Sequence, residues 1–439
     1  MTPSASGQAL GRNRLGQLLN RTSAIGAVSG QFSQAIASFA IQALAARMLG
    51  AAGLGEFALA YSVILTSTAI GSGMVGDSLT ILNRRASDVR SALECSALIT
   101  PVLTALVSCM VVWALHLMTP IASVVFGFSV VAFLIQTTMR RLLMASMRFW
   151  SLVVIDGVSL IGSLLTIVGL HAVGHLSVSS FLVAILVGQV VSAMLAIPLL
   201  PAGERHLVGL RRGALAQVFR FGLWRATQQA IRPAMLTAAR VLIAAEVGKA
   251  IFGQLEAARL YMAPSLLIVQ GIASYLLSSY AQIQDAPISR LSRRASRASL
   301  LMLALALAVG GIGTLVAPEF GHLITGSTYS MRSLAVFGWA VYAASSAAVV
   351  PFASLAAVRG QQGRVVSLRA MDSCISIALV WVVLSVPSLD VSWAPYALAV
   401  GSFLGGAAVR ALVLMPLVRA EDRGRPYASH TRQVAIDQS

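Results

Sequence analysis

This sequence is poor in charged residues and almost lacks lysine. Asp, Glu, Lys and Arg make up only 11% of its 439 residues, and Lys249 is the single lysine. Average soluble domains carry about 25% charged residues. Hydrophobic residues account instead for 57% of the chain, and the mean hydropathy is +0.82. This composition excludes a soluble globular protein.

The sequence also has few of the residues that build metal, disulfide and catalytic sites. Its three cysteines, Cys95, Cys109 and Cys374, lie inside apolar runs without a spaced pair, so we interpret them as small buried hydrophobic residues. The six histidines are scattered, and no phosphate-binding glycine loop occurs. The longest predicted outer loop, about 318–332, holds one carboxylate, Glu319, which disfavours a membrane glycosyltransferase or polymerase. We expect no metal, no cofactor and no enzymatic activity.

Long apolar runs dominate what is present. A run of about eighteen or more apolar residues is long enough to cross a bilayer as a helix. Twelve such runs occur, at about 24–47, 57–82, 95–118, 121–139, 150–172, 177–200, 221–247, 252–280, 298–317, 333–357, 365–387 and 393–417. The sequence predicts an all-α integral membrane protein with about 12 transmembrane helices, called spans 1 to 12 below.

Arginine accounts for the net charge of +17 and predicts the topology. The arginines cluster at both ends of the chain and in alternate loops, as in 84–90, 205–220, 290–297 and 359–369. Cytoplasmic loops carry such an excess of Arg and Lys. We expect both termini in the cytoplasm of a multi-pass protein of the plasma membrane. The charge then contacts anionic membrane lipids, and no nucleic-acid partner is expected.

Two short echoes indicate an internal duplication. Residues 45–55 and 238–248 are identical at seven of eleven positions, and Ser151–Asp156 resembles Ser367–Asp372. They pair span 1 with span 7 and span 5 with span 11, as a six-plus-six repeat requires. We therefore expect a monomer with two six-helix bundles around a central cavity. The predicted parts are a disordered cytoplasmic leader (1–22), an N-terminal lobe (23–200), a cytoplasmic hinge loop (201–220), a C-terminal lobe (221–417) and a cytoplasmic tail (418–439).

Span 7 carries three arginines on roughly one face, Arg225, Arg232 and Arg240, flanked by Gln228 and Gln229. A charge near the bilayer centre costs at least about 3 kcal/mol on insertion scales. This stripe predicts a wet, cationic cavity that binds an anionic substrate.

Each arginine of the stripe also has a structural alternative. Arg232 lies roughly 17 Å along its span, near the midplane, and could instead form a buried ion pair with Asp156 or Asp372. Arg225, close to the cytoplasmic end, could extend to the interface. Arg240 has an apparent counterpart in the first half, which favours a symmetric structural role.

Asp156 and Asp372 occupy matched places in spans 5 and 11. Structural pairing with arginines near the cytoplasmic ends is the interpretation that we favour. The functional alternative is coupling to a proton or sodium gradient.

Three segments resemble polysaccharide flippases of the multidrug/oligosaccharidyl-lipid/polysaccharide exporter superfamily. The junction of spans 1 and 2, LGAAGLGEFALA at 49–60, is similar to their Leu-Gly pair followed by Gly-x-Phe/Tyr. IFGQLEAA at 251–258 resembles its second-half equivalent, and LITGSTY at 323–329 resembles the Leu-x-Gly-x-x-Tyr after their ninth helix. The resemblance implies a flippase that moves a lipid-linked saccharide, usually an undecaprenyl-diphosphate oligosaccharide, to the outer leaflet. A polysaccharide polymerase or glycosyltransferases are the partners that it implies.

The first span separates the two branches of that superfamily. Its drug and cation antiporters often carry a carboxylate in helix one, and span 1 has none. It carries instead a stripe of Gln31, Gln34, Ser38 and Gln42, suited to hydrogen bonding with sugar hydroxyls. The polysaccharide branch therefore fits better, with an ion-coupled multidrug or small-solute exporter as the alternative. A major-facilitator protein would usually have glycines in the loop at 83–90, and this loop has none.

Overall fold

The computed structural model describes residues 5–82, 86–174, 176–205, 214–263, 280, 286–325, 329 and 332–423. Within these ranges the chain is nearly all helical and contains no strand, which confirms the predicted fold class. Most of predicted span 8, much of the 201–220 loop and the tail beyond 423 lie outside the described residues.

The described residues form twelve α-helices. They are α1 (Ala5–Gly71), α2 (Asp77–Ile81), α3 (Ser87–Ala114), α4 (Pro120–Ala145), α5 (Phe149–Val173), α6 (Val178–Leu199), α7 (Leu215–Leu260), α8 (Ile288–Thr325), α9 (Ser333–Val358), α10 (Gln362–Ser385), α11 (Ala394–Ala408) and α12 (Met415–Asp422). Because α1 already begins at Ala5, the expected disorder of residues 1–22 is wrong from that residue onward. The Ala, Leu, Gln and Arg of this stretch are good helix formers.

Two long helices are each broken by one glycine. α1 is interrupted at Gly50 (φ 67°, ψ −176°) and α7 at Gly248 (φ 80°, ψ 160°), where positive φ suits glycine. Nine helical segments of the described chain are long and apolar enough to cross a membrane. One of them, Ser29–Leu79, has 51 residues, enough for two crossings of about 20 residues each. Gly50 therefore separates span 1 from span 2.

The same two breaks correct the first sequence echo. Gly50 and Gly248 are 198 residues apart (248 − 50). The echo aligned 45–55 with 238–248, a separation of 193 (238 − 45). The sequence match is thus offset by five residues from the structural equivalence of the two glycine breaks. A sequence rich in alanine and leucine matches itself at several offsets, which explains the difference.

The chain packs as two compact units. The first contains Met1–Gln42 and Ala60–Ala230, and the second contains Ala43–Leu59 and Ile231–Ser439. The divisions therefore fall within α1 and α7 and not in the 201–220 loop. A long continuous helix carries the chain from one unit to the other, so loop composition does not mark the boundary.

The two units share one kind of tight contact between neighbouring helices. In the first unit α6 packs against α5, and a Cβ on Gly188 would overlap Ser163. In the second unit α11 packs against α10, and a Cβ on Gly401 would overlap Ser376. Small residues permit such close approach of helix backbones. The two glycines are 213 residues apart (401 − 188), and so are the two serines (376 − 163).

This register corrects the second echo. α4 and α9 also begin 213 residues apart (333 − 120), which supports the same alignment. Asp372 then corresponds to Ser159, and Asp156 corresponds to Arg369. Asp156 and Asp372, 216 residues apart (372 − 156), are therefore not in matched places, and the prediction that they are is wrong by nearly one helical turn.

Candidate functional site

Arg232 of α7, in the second unit, is anchored by neutral hydroxyl groups. Its Nη2 atom donates hydrogen bonds to Oγ of Ser346 in α9, at 2.6 Å, and to Oγ of Ser402 in α11, at 2.7 Å. Its Cζ atom lies 5.2 Å from the centroid of the Tyr342 ring. The buried Nη1 atom has no hydrogen-bond partner among the described residues. The alternative of a structural ion pair is thus not realised in this part of the chain, and the guanidinium charge is not neutralised by direct contact.

Asp372 of α10 is buried with one unsatisfied oxygen. The residue is 1% exposed, and its Oδ1 accepts a hydrogen bond from Ser373 Oγ at 3.3 Å. In the described ranges Oδ2 accepts none, and the carboxyl group lies against Gly405 of α11. Burial of an ionised carboxylate without a partner is strongly unfavourable. No direct ion pair of Asp372 is found among the described residues, and the charge of Arg369, near the cytoplasmic end of the same helix, acts on it at longer range. Structural pairing of Asp372 therefore stays a prediction.

Arg369 belongs to the same cluster and was missed by the sequence analysis, which assigned it to the topology charges. It precedes Asp372 by three residues, so the two side chains share one face of α10. Its charge acts on Asp372, Arg232 and the Tyr342 hydroxyl. The available signal was this spacing of an arginine and an aspartate within an apolar span.

Two guanidinium groups, one carboxyl group and a set of hydroxyls therefore meet in the second unit. We call this set the α7/α10 cluster, defined by Arg232, Arg369, Asp372, Ser346 and Ser402. With the carboxyl group ionised its charge is +1 (two arginines, one aspartate). Such an arrangement can bind an anion, because planar guanidinium donors match the oxygens of phosphate groups.

Arg240 was placed among the substrate-binding residues, with a structural role as the favoured interpretation, and the structure shows the structural role. Its Nε donates to Glu256 Oε1 at 2.9 Å, and Arg259 Nε donates to Glu256 Oε2 at 2.6 Å. Arg240 and Glu256 are both buried. The Glu256 carboxylate thus accepts hydrogen bonds from two arginines of α7, one before and one after the break at Gly248.

Arg225 and the two glutamines lie in the first unit, apart from the α7/α10 cluster. Arg225 Nε and Gln229 Nε2 both donate to Asp77 Oδ2, each at 2.7 Å, and Arg225 Nη1 donates to Gln228 Oε1 at 2.9 Å. Arg141 adds a further positive charge near Asp77. The sequence predicted that the polar residues of span 7 form one stripe. In the structure Arg225 and the two glutamines belong to the first unit, whereas Arg232 belongs to the second. Arg225 is neutralised by Asp77.

Asp156 shows the structural pairing that we favoured. It forms a buried ion pair with Arg140, accepts a hydrogen bond from Ser33 Oγ at 2.6 Å, and has Gln136 Nε2 at 3.5 Å. Arg140 also donates to the carbonyl oxygen of Gly30 at 3.3 Å. This network joins α1, α4 and α5 in the first unit.

The glutamine stripe of span 1 is only partly available for a ligand. Gln42 Nε2 donates to the carbonyl oxygen of Ser38 at 3.1 Å and lies 3.2 Å from its Oγ, and Ser38 is 2.7 Å from the Tyr61 hydroxyl. Gln31 is exposed and Gln34 is half-buried. Gln42 therefore belongs to a local hydrogen-bond network.

A separate cavity of about 280 Å³ lies in the second unit, between α7 and the α10–α11 connection. Its polar walls include Gln254, Arg332, Asp390 and Ser392. Desolvation raises the pKa of Asp390, but hydrogen bonds from Ser392 and Arg332 outweigh it and hold that pKa below its ordinary value. No residue predicted to bind substrate lines this cavity.

Comparison with known proteins identifies the fold. No protein-family model and no curated protein matches the sequence. Solved structures do match. The inward-facing and outward-facing structures of a multidrug resistance MATE family transporter of the MOP superfamily each align with a TM-score of 0.65. They cover 91% of this chain and 99% and 95% of their own, at 12% and 11% identity.

The chain has the fold of the MATE family transporters. Members of this fold are built from 12 transmembrane helices in two bundles, so the present chain is a multi-pass membrane protein of that architecture. A MOP superfamily transporter from Pyrococcus furiosus also matches, with a TM-score of 0.64, 14% identity and coverage of 91% of this chain and 95% of its own. Its binding pocket is described as having reverse polarity, which suggests a different function.

Proposed function

We propose that this protein is a flippase for a lipid-linked saccharide. By alternating access it moves a polyprenyl-diphosphate oligosaccharide from the inner to the outer leaflet of the plasma membrane, for export of a cell-surface polysaccharide. Both termini face the cytoplasm in this proposal, and glycosyltransferases or a polymerase act before and after the transport step.

One observation carries the proposal. Arg232 of α7 is held by two neutral hydroxyls and has a buried Nη1 without a partner in the described chain. A guanidinium that is neither neutralised nor fully hydrogen-bonded is unfavourable in a low-dielectric interior. An anionic ligand removes that deficit, and a diphosphate supplies both charge and acceptor oxygens.

The second candidate function is ion-coupled export of drugs or small solutes. It is supported by the unpaired buried carboxyl group of Asp372, which suits a cationic ligand, and by the multidrug transporters among the structural neighbours. The reversed pocket polarity described for the Pyrococcus furiosus transporter shows that pocket charge differs within this fold. Because arginines outnumber carboxylates in the α7/α10 cluster, we favour the anionic substrate.

Reconstituted vesicles distinguish the two functions. A fluorescent polyprenyl-diphosphate saccharide should cross the bilayer with the wild-type protein, and Arg232→Ala should lose nearly all of this activity. Arg232→Lys should lose much of it, because an ammonium group lacks the planar pair of donors. Arg220→Ala, an exposed arginine of the same helix, is the matched control. Full activity in Arg232→Leu, or export of cationic drugs without lipid transfer, would overturn the proposal.

A further inference from the structure

Four exposed arginines share one face of α8, in the second unit. They are three or four residues apart, which places them on one side of a helix, and they are Arg290, Arg293, Arg294 and Arg297. We call this set the α8 arginine face. The same spacing continues along the helix to Leu300, Leu301 and Leu305, whose side chains are also exposed. One face of α8 thus changes from charged to apolar directly after Arg297.

The opposite face of α8 fixes how the helix is turned. Leu291, Ala295 and Met302 are buried in a core cluster that also contains residues of α9. Ser299 Oγ donates a hydrogen bond to the carbonyl oxygen of Ala348 in α9, at 2.7 Å. Because this packing determines the rotation of α8, the arginines and the exposed leucines lie on the outside of the second unit. In a chain that crosses a membrane, such leucines contact lipid.

The α8 arginine face lies at the depth of the lipid headgroups. No charged residue occurs in 298–318, and 21 helical residues (318 − 298 + 1) span about 32 Å, enough for the hydrocarbon core of a bilayer. Arg297 therefore lies at the edge of that core. Arg293 and Arg294 lie about 5–6 Å further out, within a headgroup layer that is roughly 5–8 Å thick. The four guanidinium groups can thus reach lipid phosphates directly.

The described residues leave these charges available. Arg290, Arg293 and Arg297 form no ion pair within the described ranges. Glu421 of α12 lies at the start of α8, but its carboxylate accepts hydrogen bonds from the backbone nitrogens of Ile288, at 2.9 Å, and Ser289, at 3.0 Å. It caps the helix, as an acceptor at an N-terminus does.

The equivalent helix of the first unit has the opposite charge. α3 packs against α4 as α8 packs against α9, and α4 and α9 are equivalent in the repeat. The first eleven residues of α3, 87–97, contain Asp88, Arg90 and Glu94, with a sum of −1, and Arg90 pairs with Glu94 at 3.0 Å. The first eleven residues of α8, 288–298, sum to +4. Both helices begin on the side predicted to be cytoplasmic, so topology alone does not require four arginines on α8.

We propose that the α8 arginine face binds the headgroup of a phospholipid that carries two phosphate groups, whose acyl chains lie along Leu300, Leu301 and Leu305. Each phosphate accepts hydrogen bonds from two guanidinium groups, since their planar donors match its oxygens. Two phosphates in one headgroup bind as a unit, because the second contact is intramolecular once the first has formed. A phospholipid with one phosphate lacks that second contact. This site does not depend on the proposed function.

Lipid titrations of the purified full-length protein test the inference. Native mass spectrometry in detergent gives a Kd from the fraction of protein that carries lipid. The probes are tetraoleoyl cardiolipin, with two phosphates, dioleoyl phosphatidylglycerol, with one, and the zwitterionic dioleoyl phosphatidylcholine. The wild type should bind cardiolipin at least tenfold more tightly than phosphatidylglycerol, and phosphatidylcholine more weakly than both. Methylenediphosphonate, a soluble diphosphate analogue without acyl chains, should not displace cardiolipin at tenfold excess.

Two double variants remove the same charge at different places. Arg293→Gln with Arg297→Gln should raise the Kd for cardiolipin at least tenfold, because each phosphate loses part of its contact. Arg220→Gln with Arg364→Gln, which changes exposed arginines of α7 and α10, should change it less than twofold. If the first variant does not reach the membrane, Arg293→Lys with Arg297→Lys keeps the charge. It should retain phosphatidylglycerol binding and lose most of the preference for cardiolipin, since lysine lacks the planar pair of donors.

Three results would overturn the inference. Equal weakening in the two glutamine double variants would show that net charge attracts the lipid and the α8 arginine face does not. Equal affinity for cardiolipin and phosphatidylglycerol would remove the second phosphate from the site. Displacement of cardiolipin by methylenediphosphonate would assign the site to a soluble diphosphate. None of these results bears on Arg232, so the proposed function is tested separately.

Discussion

Asp156 and Arg369 occupy equivalent positions in the two halves of the protein, 213 residues apart (369 − 156), on α5 and α10. The repeat has therefore reversed the charge at one site. In the first half, Arg140 neutralises Asp156. The residue equivalent to Arg140 (140 + 213) is Ala353, so α9 supplies no charge at that place for Arg369. One half has a closed ion pair, and the other has a cationic site.

Breaking the ion pair of the first half should destabilise the protein. Arg140→Met leaves a buried carboxylate without its counter-charge, which costs about 3–5 kcal/mol. Replacing both partners, Arg140→Met with Asp156→Leu, should recover much of that loss. Thermal unfolding in detergent measures both. A double variant as unstable as Arg140→Met alone would show that the pair is not the source of the effect.

The two aspartates should differ in their effect on gradient-driven transport. Asp372→Asn should abolish the dependence of transport on a proton gradient, because it removes a buried carboxyl group whose Oδ2 has no hydrogen-bond partner in the described chain. Asp156→Asn should lower stability and keep the gradient dependence, since its charge is already held by Arg140. Transport into vesicles with and without an imposed pH gradient provides the measurement. Gradient dependence that persists in Asp372→Asn would return this residue to a structural role.

Contact between α10 and α11 should tolerate no added methyl group at its centre. In Gly401→Ala the added Cβ would overlap Ser376, and overpacking of this kind costs typically about 1–3 kcal/mol of stability. Gly157 in α5 has open space where a Cβ would stand. Gly157→Ala should therefore be neutral or stabilise by up to about 1 kcal/mol, since alanine favours a helix. Equal thermal midpoints of the two variants would contradict the close packing.

The topology can be tested by cysteine labelling in a background without the three native cysteines. Ser388, exposed between α10 and α11, should be labelled from outside intact cells. Gly203, exposed between α6 and α7, should be labelled only after the membrane is made permeable. The reason is that Gly203 lies in one of the arginine-rich loops, and such loops face the cytoplasm. The opposite pattern would invert the predicted orientation.

Composition and periodicity were sufficient to predict an all-helical membrane protein in two repeated halves. A span of apolar residues has few alternatives to a helix in lipid, because every backbone polar group must be satisfied internally. The resemblance of the short motifs at 49–60 and 251–258 pointed to the superfamily whose transporters share this fold.

Only the tertiary structure decided which charges meet. The sequence placed Arg225, Arg232 and Arg240 on one stripe, yet each is paired differently: with Asp77, with two serines and with Glu256. Helical periodicity gives the face of a residue, whereas its partner is set by the helix that packs on that face. Arg369 belongs to the cluster because folding brings Arg232 of α7 close enough for the two charges to act on each other. These residues are 137 positions apart (369 − 232), and no local pattern encodes a relationship over that distance.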